Sequence, residues 1–260
     1  MLFRFYLDFD GVIAHSAIEC VNNAFIAWLE TNHDLFNKIE NNYKSSLKKL
    51  IVDFSISKRY FVIPPEHYYC LIDTIFHELR LNNKTPSDNY IQKLFEDNVS
   101  STSLKTLEKF KFNFFRIRDK KSNSQSDTDW VKENPPTIFI EKFYMLTENY
   151  PIEIFIVSRK NYKAIEKWFL GSKLPIDEIY GNEALGRFNN NKFELIQSLQ
   201  LANGNKKAFF IDDMISEFAL DDWENINVIT LQAGWGYNDL EDNTQEILNI
   251  IKENLNDLLN

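Results

Sequence analysis

The sequence predicts an α/β protein in which a parallel sheet carries helices on both faces, with a mostly α-helical domain inserted into it. Short apolar segments that end in polar residues alternate with helical patterns at the start and in the second half of the 260-residue chain. The stretch from about 17 to 136 lacks this alternation and shows only helical periodicity. These observations favour one sheet-containing core and one helical domain.

Four apolar segments have the length and composition of buried strands. They are LFRFYLD at 2–8, IEIFIV at 152–157, KAFFI at 207–211 and NVITL at 227–231. The short pair Ile179–Tyr180 indicates a further edge strand. Helical patterns at 162–170 and 192–201 separate the second long strand from the third, as crossover connections between parallel strands require.

The last eighteen residues predict an amphipathic helix whose apolar stripe packs on the core rather than on a partner. Its apolar positions are Ile247, Ile250, Ile251, Leu255, Leu258 and Leu259.

The insertion shows helical periodicity at 18–29, 68–81 and 90–115. Pro135-Pro136 is the expected return hinge, and the serine-rich 122–127 is a candidate flexible loop. We therefore predict a core formed by 1–16 and 137–260, with a helical domain at 17–136.

Composition narrows the function classes. The net charge of −9 disfavours nucleic-acid binding, and no apolar run is long enough to span a membrane. The N-terminal segment lacks the pattern of a signal peptide, so we expect a cytoplasmic protein with Cys20 and Cys70 as buried thiols. The basic segment 105–121 is either a substrate-attracting surface or, as we favour, the solvated face of an amphipathic helix.

The first strand ends in Asp8-Phe9-Asp10-Gly11, at the sheet edge where α/β proteins bind ligands. A carboxylate such as Asp8 can attack a phosphoryl group and form an acyl phosphate. Asp10 can protonate the leaving oxygen and then deprotonate water. Gly11 allows an otherwise strained turn.

Two anions beside a phosphate require nearby cations. Asp212, Asp213 and Glu217 follow the third long strand and offer the oxygen ligands that Mg²⁺ prefers. Ser158 can donate a hydrogen bond to phosphate, and Lys192 supplies a fixed positive charge.

Four segments in order resemble the motifs of the haloacid-dehalogenase-like phosphohydrolase superfamily. They are YLDFDGVIAHS, IFIVSRK, Lys192 in NNNKFELI, and FFIDDMISE, and together they cover about a third of the chain. The third segment lacks the proline common in relatives. In the fourth, Asp212 stands where many relatives have glycine, and Glu217 stands where many have aspartate.

The resemblance implies a Rossmann-like core with a type 1 cap inserted after strand one. It implies Asp8 as nucleophile, Asp10 as acid/base and as a metal ligand through its carbonyl, and Lys192 as stabiliser of the phosphoaspartate. Asp8 and Asp213 would bind Mg²⁺, with Asp212 or Glu217 assisting. Ser158, with Arg159 and Gly11, would bind the substrate phosphate; Arg159 remains equally compatible with a surface role.

The expected function is Mg²⁺-dependent hydrolysis of a small phosphorylated metabolite, a phosphate monoester, through an aspartyl-phosphate on Asp8. The cap would close over the substrate and select it. The alternatives are a sugar-phosphate mutase or other phosphoryl transferase of the same superfamily, and a non-catalytic binding or regulatory protein. Dehalogenase activity is disfavoured because it does not accompany an aspartate at the position of Asp10.

Overall fold

A computed structural model describes residues 3–32, 41–81, 87–218, 222–238 and 240–257. The strands form one parallel sheet in the order β3-β2-β1-β4-β5. Their bounds are β1 Phe3–Leu7, β2 Ile152–Val157, β3 Glu178–Tyr180, β4 Ala208–Asp212 and β5 Val228–Gln232. Each lies within about one residue of the predicted strand, so the predicted parallel sheet is confirmed.

The α-helices are named in chain order. They are α1 Ala17–Thr31, α2 Asn41–Ser57, α3 His67–Leu81, α4 Asp88–Ser101, α5 Leu104–Ser124, α6 Asp127–Glu133, α7 Ile138–Thr147, α8 Tyr162–Ser172, α9 Asn182–Leu185, α10 Lys192–Ala202 and α11 Thr244–Asn256. Leu258 and Leu259, predicted at the end of the last helix, lie outside the described residues.

Helices cover both faces of the sheet. Phe5 and Leu7 of β1 pack on one face in a buried cluster with residues of α7, α8 and α11. Tyr6 points to the other face and packs with residues of α9 and α10. Because successive side chains of a strand point to opposite faces, burial on both sides explains why β1 is apolar except at Arg4, whose buried side chain pairs with Glu153.

The chain divides into two compact units, 1–16 with 125–260 and 17–124. The second boundary therefore precedes α6, whereas we had predicted it at 136/137. The reason is Trp130 of α6, which is fully buried in the sheet-containing unit and donates a hydrogen bond from Nε1 to the carbonyl of Ala164 at 2.9 Å. The predicted loop at 122–127 is largely ordered, since Ser126 caps α6 by accepting from the Asp129 N–H.

The unit 17–124 has its own helical core. The predicted helix over 90–115 is two helices, because Thr102 adopts an extended backbone and Ser103 accepts from the Thr106 N–H to start α5. Helix α2 was not predicted.

The basic segment 105–121 lies within α5, and several of its cations are paired inside the unit 17–124. Arg118 is buried against Glu19, with Nε 3.0 Å from Oε1. Lys111 pairs with Glu66. The solvated basic face is therefore wrong for Arg118, whereas the side chain of Lys111 is one third exposed, and Lys105, Lys109, Arg116 and Lys120 are exposed. Cys20 and Cys70 are buried free thiols, as predicted. Among the described residues, no helix is long and apolar enough to cross a membrane.

Candidate active site

The carboxyl ends of three neighbouring strands bring the predicted site residues together. Leu7 pairs with Ile156 on one side and with Ile211 on the other. The residues that follow these pairs are Asp8 on the central strand and Asp212 beside it, and the Asp8 N–H donates to the Ile211 carbonyl at 3.0 Å. The parallel order therefore places the first and fourth motifs side by side, at the sheet edge where ligands bind.

Asp8, Asp212 and Asp213 form a buried acidic group. Each offers a carboxylate oxygen that lies within 4.8 Å of the others, and no second acidic or histidine group in the described parts of the chain meets that spacing. Asp8 Oδ1 is buried, and it lies 2.9 Å from Lys192 Nζ without forming a hydrogen bond. Because hard carboxylate oxygens at this separation match the ligands of Mg²⁺, the residues present fit such an ion.

Lys192 neutralises part of this group. Asn191 caps α10 by accepting from the Phe193 N–H at 2.8 Å, which fixes Lys192 as the first residue of the helix. The Lys192 side chain is 2% exposed, and its Nζ lies 2.9 Å from Asp8 Oδ1 and 2.6 Å from Asp212 Oδ2.

The protonation equilibria of this cluster are strongly shifted. Burial alone would lower the pKa of Lys192, but the charges of Asp212 and Asp8 outweigh it and raise that pKa. Burial also raises the pKa of Asp212 well above its ordinary value; Lys192 opposes this rise and Asp8 adds to it. The part of both pKa shifts that comes from charge has a common origin, because the cluster holds more negative charge than one ammonium group can neutralise.

Asp10 is held in place by two partners. Its Oδ1 accepts from the Ser16 hydroxyl and lies 3.0 Å from Lys160 Nζ. The Lys160 side chain is fully buried, and its ammonium also lies over the Phe9 ring, 5.4 Å from the centroid. The carboxyl group of Asp10 is therefore oriented by a hydroxyl donor and a buried cation.

Gly11 belongs to the turn that follows β1. Its φ is +89°, and a Cβ there would lie 2.7 Å from Asp213 Oδ2. Its N–H donates to the Ala14 carbonyl at 2.9 Å, so that group is used inside the turn. The contact of Gly11 with substrate phosphate that the resemblance implies stays a prediction. On the other side of the aspartate, the Tyr237 N–H donates to Asp213 Oδ2 at 2.6 Å.

Ser158 follows β2 and is fully buried. Its N–H donates to the Tyr180 carbonyl at 3.0 Å, and its hydroxyl oxygen accepts from the Lys160 N–H at 3.3 Å. The strand register places it one position beyond Asp8, at the same sheet edge. Its position suits the phosphate contact that the sequence predicts, which stays a prediction.

Arg159 and Glu217 form an ion pair within electrostatic reach of Lys192. Arg159 Nη1 donates to Glu217 Oε1 at 2.6 Å, and Nη2 donates to the Asn190 carbonyl at 3.1 Å. Glu217 does not belong to the group of Asp8, Asp212 and Asp213. Arg159, predicted to bind phosphate, is paired with Glu217, predicted to assist the metal. Their opposite charges attract strongly because both side chains are largely shielded from water.

Sequence reasoning missed Lys160, Ser16 and Tyr237. Lys160 stands two residues after Ser158, so its spacing was a usable signal for a second cation at this edge. Ser16 stands six residues after Asp10, at the end of the first motif. Tyr237 contacts Asp213 through its backbone N–H, which no residue type signals, and its hydroxyl lies 3.3 Å from the Ser16 hydroxyl.

No protein-family profile matches the sequence, and no curated protein matches it significantly. Solved structures do. One is a protein assigned as a phosphoglycolate phosphatase from Lactobacillus delbrueckii subsp. bulgaricus, with 11% identity and a TM-score of 0.55 over 96% of this chain and 97% of that chain. Another is a predicted phosphatase from Clostridium acetobutylicum, with 15% identity and a TM-score of 0.50 over 97% of this chain and 99% of that chain.

A more distant match is the L-2-haloacid dehalogenase from Xanthobacter autotrophicus, with 8% identity and a TM-score of 0.39 over 90% of this chain and 78% of that chain. The two phosphatase structures match nearly the whole chain, including its inserted helical unit. Together with the parallel sheet and the residues at its carboxyl edge, they establish that this chain has the haloacid-dehalogenase-like fold.

Proposed function

We propose that the protein is a Mg²⁺-dependent phosphatase that hydrolyses a small-molecule phosphate monoester through an aspartyl-phosphate on Asp8. The observation that carries the proposal is the buried contact of Asp8 with Lys192, within the acidic group completed by Asp212 and Asp213. The phosphatase structures that share this fold support the same class of reaction.

The charge balance of the site supports a divalent cation. Three carboxylates face one ammonium group, so the acidic group tends to an excess of negative charge before an anionic substrate arrives, and this excess contributes to the raised pKa of Asp212. Phosphate would be repelled from such a site. Asp8, Asp213 and Asp212 would hold the metal, together with the backbone carbonyl of Asp10. When bound, Mg²⁺ would neutralise charge on the phosphoryl oxygens and orient the attack.

The residues of the chain supply the rest of the chemistry. The carboxylate of Asp8 attacks phosphorus, and Lys192, 2.9 Å from Asp8 Oδ1, stabilises the anionic group that forms there. Asp10, oriented by Ser16 and Lys160, gives a proton to the leaving oxygen. In the second half-reaction Asp10 takes a proton from the water that cleaves the acyl phosphate.

The phosphate also needs hydrogen-bond donors. The hydroxyl of Ser158 is buried at the same strand edge and serves as one of them. The presence of Asp10 favours a phosphatase over a dehalogenase. Its position suits proton donation to a leaving alkoxide, which is a step of phosphate-ester hydrolysis.

The test is a panel of phosphorylated metabolites, with phosphoglycolate among them, assayed for phosphate release with and without Mg²⁺. We expect Mg²⁺-dependent release, a loss of at least about 10³-fold for Asp8→Asn and a severe loss for Asp10→Asn. The matched control is Asp53→Asn, an exposed aspartate of α2, which should keep full activity.

Full activity in the Asp8→Asn variant would refute the proposed mechanism. Isomerisation of a sugar phosphate without phosphate release would identify the mutase. Ligand-induced thermal stabilisation without turnover would identify a binding protein.

A further inference from the structure

Arg159 connects two loops that are distant in sequence. One is the turn that precedes α10, where Arg159 Nη2 binds the carbonyl of Asn190 at 3.1 Å. The other is the 3₁₀ turn after β4, where Arg159 Nη1 binds Glu217 Oε1 at 2.6 Å. The Arg159 side chain is 21% exposed and the Glu217 side chain is 8% exposed. Hydrogen bonds to charged groups are strong in such surroundings.

The turn before α10 positions Lys192. Asn189 and Asn190 both adopt positive φ, at 52° and 59°, a conformation that costs free energy and needs surrounding contacts to persist. Asn191 then caps the helix that Lys192 begins. The hydrogen bond from Arg159 therefore falls on the strained turn, two residues before Lys192.

The turn after β4 positions Asp212, the partner of Lys192. The Met214 N–H donates to Asp212 Oδ1 at 2.9 Å, and the Glu217 N–H donates to the Met214 carbonyl at 3.0 Å. Glu217 thus ends the turn that fixes Asp212, whose Oδ2 holds Lys192 at 2.6 Å. Arg159 bridges the two loops whose side chains meet in that ion pair.

We propose that Arg159 and Glu217 are a pair of positioning residues that hold Lys192 against Asp8 and Asp212, rather than ligands of phosphate and metal. Both terminal nitrogens of Arg159 already donate to protein acceptors. Glu217 stands outside the group of carboxylates that suits a metal. Its charge still raises the pKa of Lys192, and that of Arg159 lowers it, so both lie within electrostatic reach of the ammonium group.

The consequence for catalysis rests on the proposed function. A loosened Lys192 would weaken stabilisation of the transferring group. The metal-binding carboxylates would keep their own backbone contacts, since Asp212 accepts from the Met214 N–H and Asp213 accepts from the Tyr237 N–H. Loss of either positioning residue should therefore lower kcat and leave KM and the requirement for Mg²⁺ nearly unchanged.

The decisive experiment measures the reactivity of Lys192 itself. The intact protein is acetylated with sulfo-NHS-acetate, and the rate at each lysine is followed by mass spectrometry. We expect Arg159→Met and Glu217→Gln each to raise the Lys192 rate by at least about fivefold, because the two loops open locally. Arg159→Lys should give a smaller increase.

The matched control is Arg187→Met, which removes an exposed cation from the same stretch of chain and should leave the Lys192 rate unchanged. Lys167 of α8, held by the Gln125 carbonyl and Asp127, reports general loosening of this unit. An unchanged Lys192 rate in Arg159→Met and Glu217→Gln overturns the proposal, and so does an equal rise at Lys167.

Steady-state kinetics with para-nitrophenyl phosphate give the second measurement. In both single variants and in the double variant, kcat should fall by about tenfold. The KM, the inhibition constant of inorganic phosphate and the half-saturating Mg²⁺ concentration should stay within about twofold of the wild-type values. A rise in the phosphate constants for Arg159→Met would make Arg159 a phosphate ligand. A raised Mg²⁺ requirement for Glu217→Gln would make Glu217 a metal ligand. An inactive wild type would refute the proposed function alone, since acetylation still tests the positioning role.

Discussion

Lys160 Nζ lies 3.0 Å from Asp10 Oδ1, and the lysine side chain has no exposed surface. The carboxylate that we propose as acid and base is thus tied to a buried cation that follows a different strand. A buried lysine without its partner would be costly, so the pair holds both groups in one arrangement.

Lys160→Met should lower both activity and stability. Without the ammonium group, Asp10 keeps Ser16 as a partner but loses its main orienting charge, and we expect kcat to fall by about 10- to 100-fold. The free energy of unfolding should fall by about 1–3 kcal/mol, since a nearly buried carboxylate loses its counter-charge. Kinetics and urea unfolding measure these effects. Lys163→Met, an exposed position on α8, is the control, and equal kcat in the two variants would refute the role of Lys160.

Gly11→Ala should be more destabilising than Gly204→Ala. Both glycines have positive φ, +89° and +79°, but a Cβ at Gly204 meets nothing within 4 Å, whereas one at Gly11 meets the Asp213 carboxylate. We expect a cost of about 1 kcal/mol at Gly204 and about 2–4 kcal/mol at Gly11. The difference between the two unfolding free energies isolates the clash with Asp213. Equal costs would show that Asp213 yields without strain.

Asp213→Asn should weaken the response to Mg²⁺. The ion should stabilise wild type by about 2.7 kcal/mol at a hundredfold excess over its dissociation constant. In the variant the half-saturating concentration should rise at least about tenfold, because one of the three buried carboxylates loses its charge. Thermal unfolding across a Mg²⁺ series measures this, with Asp53→Asn as control. A variant that responds to Mg²⁺ like wild type would remove Asp213 from the metal site.

Tyr6 should make stability fall at high pH. Burial raises the pKa of this tyrosine from its ordinary value of 10.0 to about 12. Between those values the folded protein keeps a proton that the unfolded chain has lost. This contribution is therefore fully present below about pH 10 and declines as pH rises to about 12, by up to about 3 kcal/mol.

Tyr6→Phe should flatten the decline, and Tyr90→Phe, an exposed tyrosine, should not. Urea unfolding at several pH values in this range measures both. Equal slopes in wild type and Tyr6→Phe would contradict the raised pKa.

The sequence predicted the sheet and most of the site for a simple physical reason. Apolar runs that end in polar residues identify strands buried on both faces, and the parallel order brings the residues that follow them to one edge. Asp8, Asp212 and Ser158 could therefore be placed near one another without a structure. Their chemistry suggested the reaction, and the observed distance from Lys192 to Asp8 is compatible with it.

Other features depend on contacts that leave no local pattern. The Arg159–Glu217 pair joins residues 58 positions apart, and no periodicity relates them. The break between α4 and α5 falls inside a continuous helical pattern and depends on how Thr102 and Ser103 bond to nearby backbone. Ser126 was taken for a loop residue because serine favours loops and helix caps alike.

The position of β1 at the centre of the sheet has a consequence for how the chain folds. Its neighbour β2 lies far along the chain, since Phe3 pairs with Ile152, and its other neighbour β4 follows still later. During synthesis the segment FRFYL has no partner strand until β2 and β4 have been made. The helical unit 17–124 is complete earlier and already has the residues of its own core. We expect that unit to become ordered first. The unpaired first strand is then the segment most exposed to aggregation and to chaperones until the second half of the chain emerges.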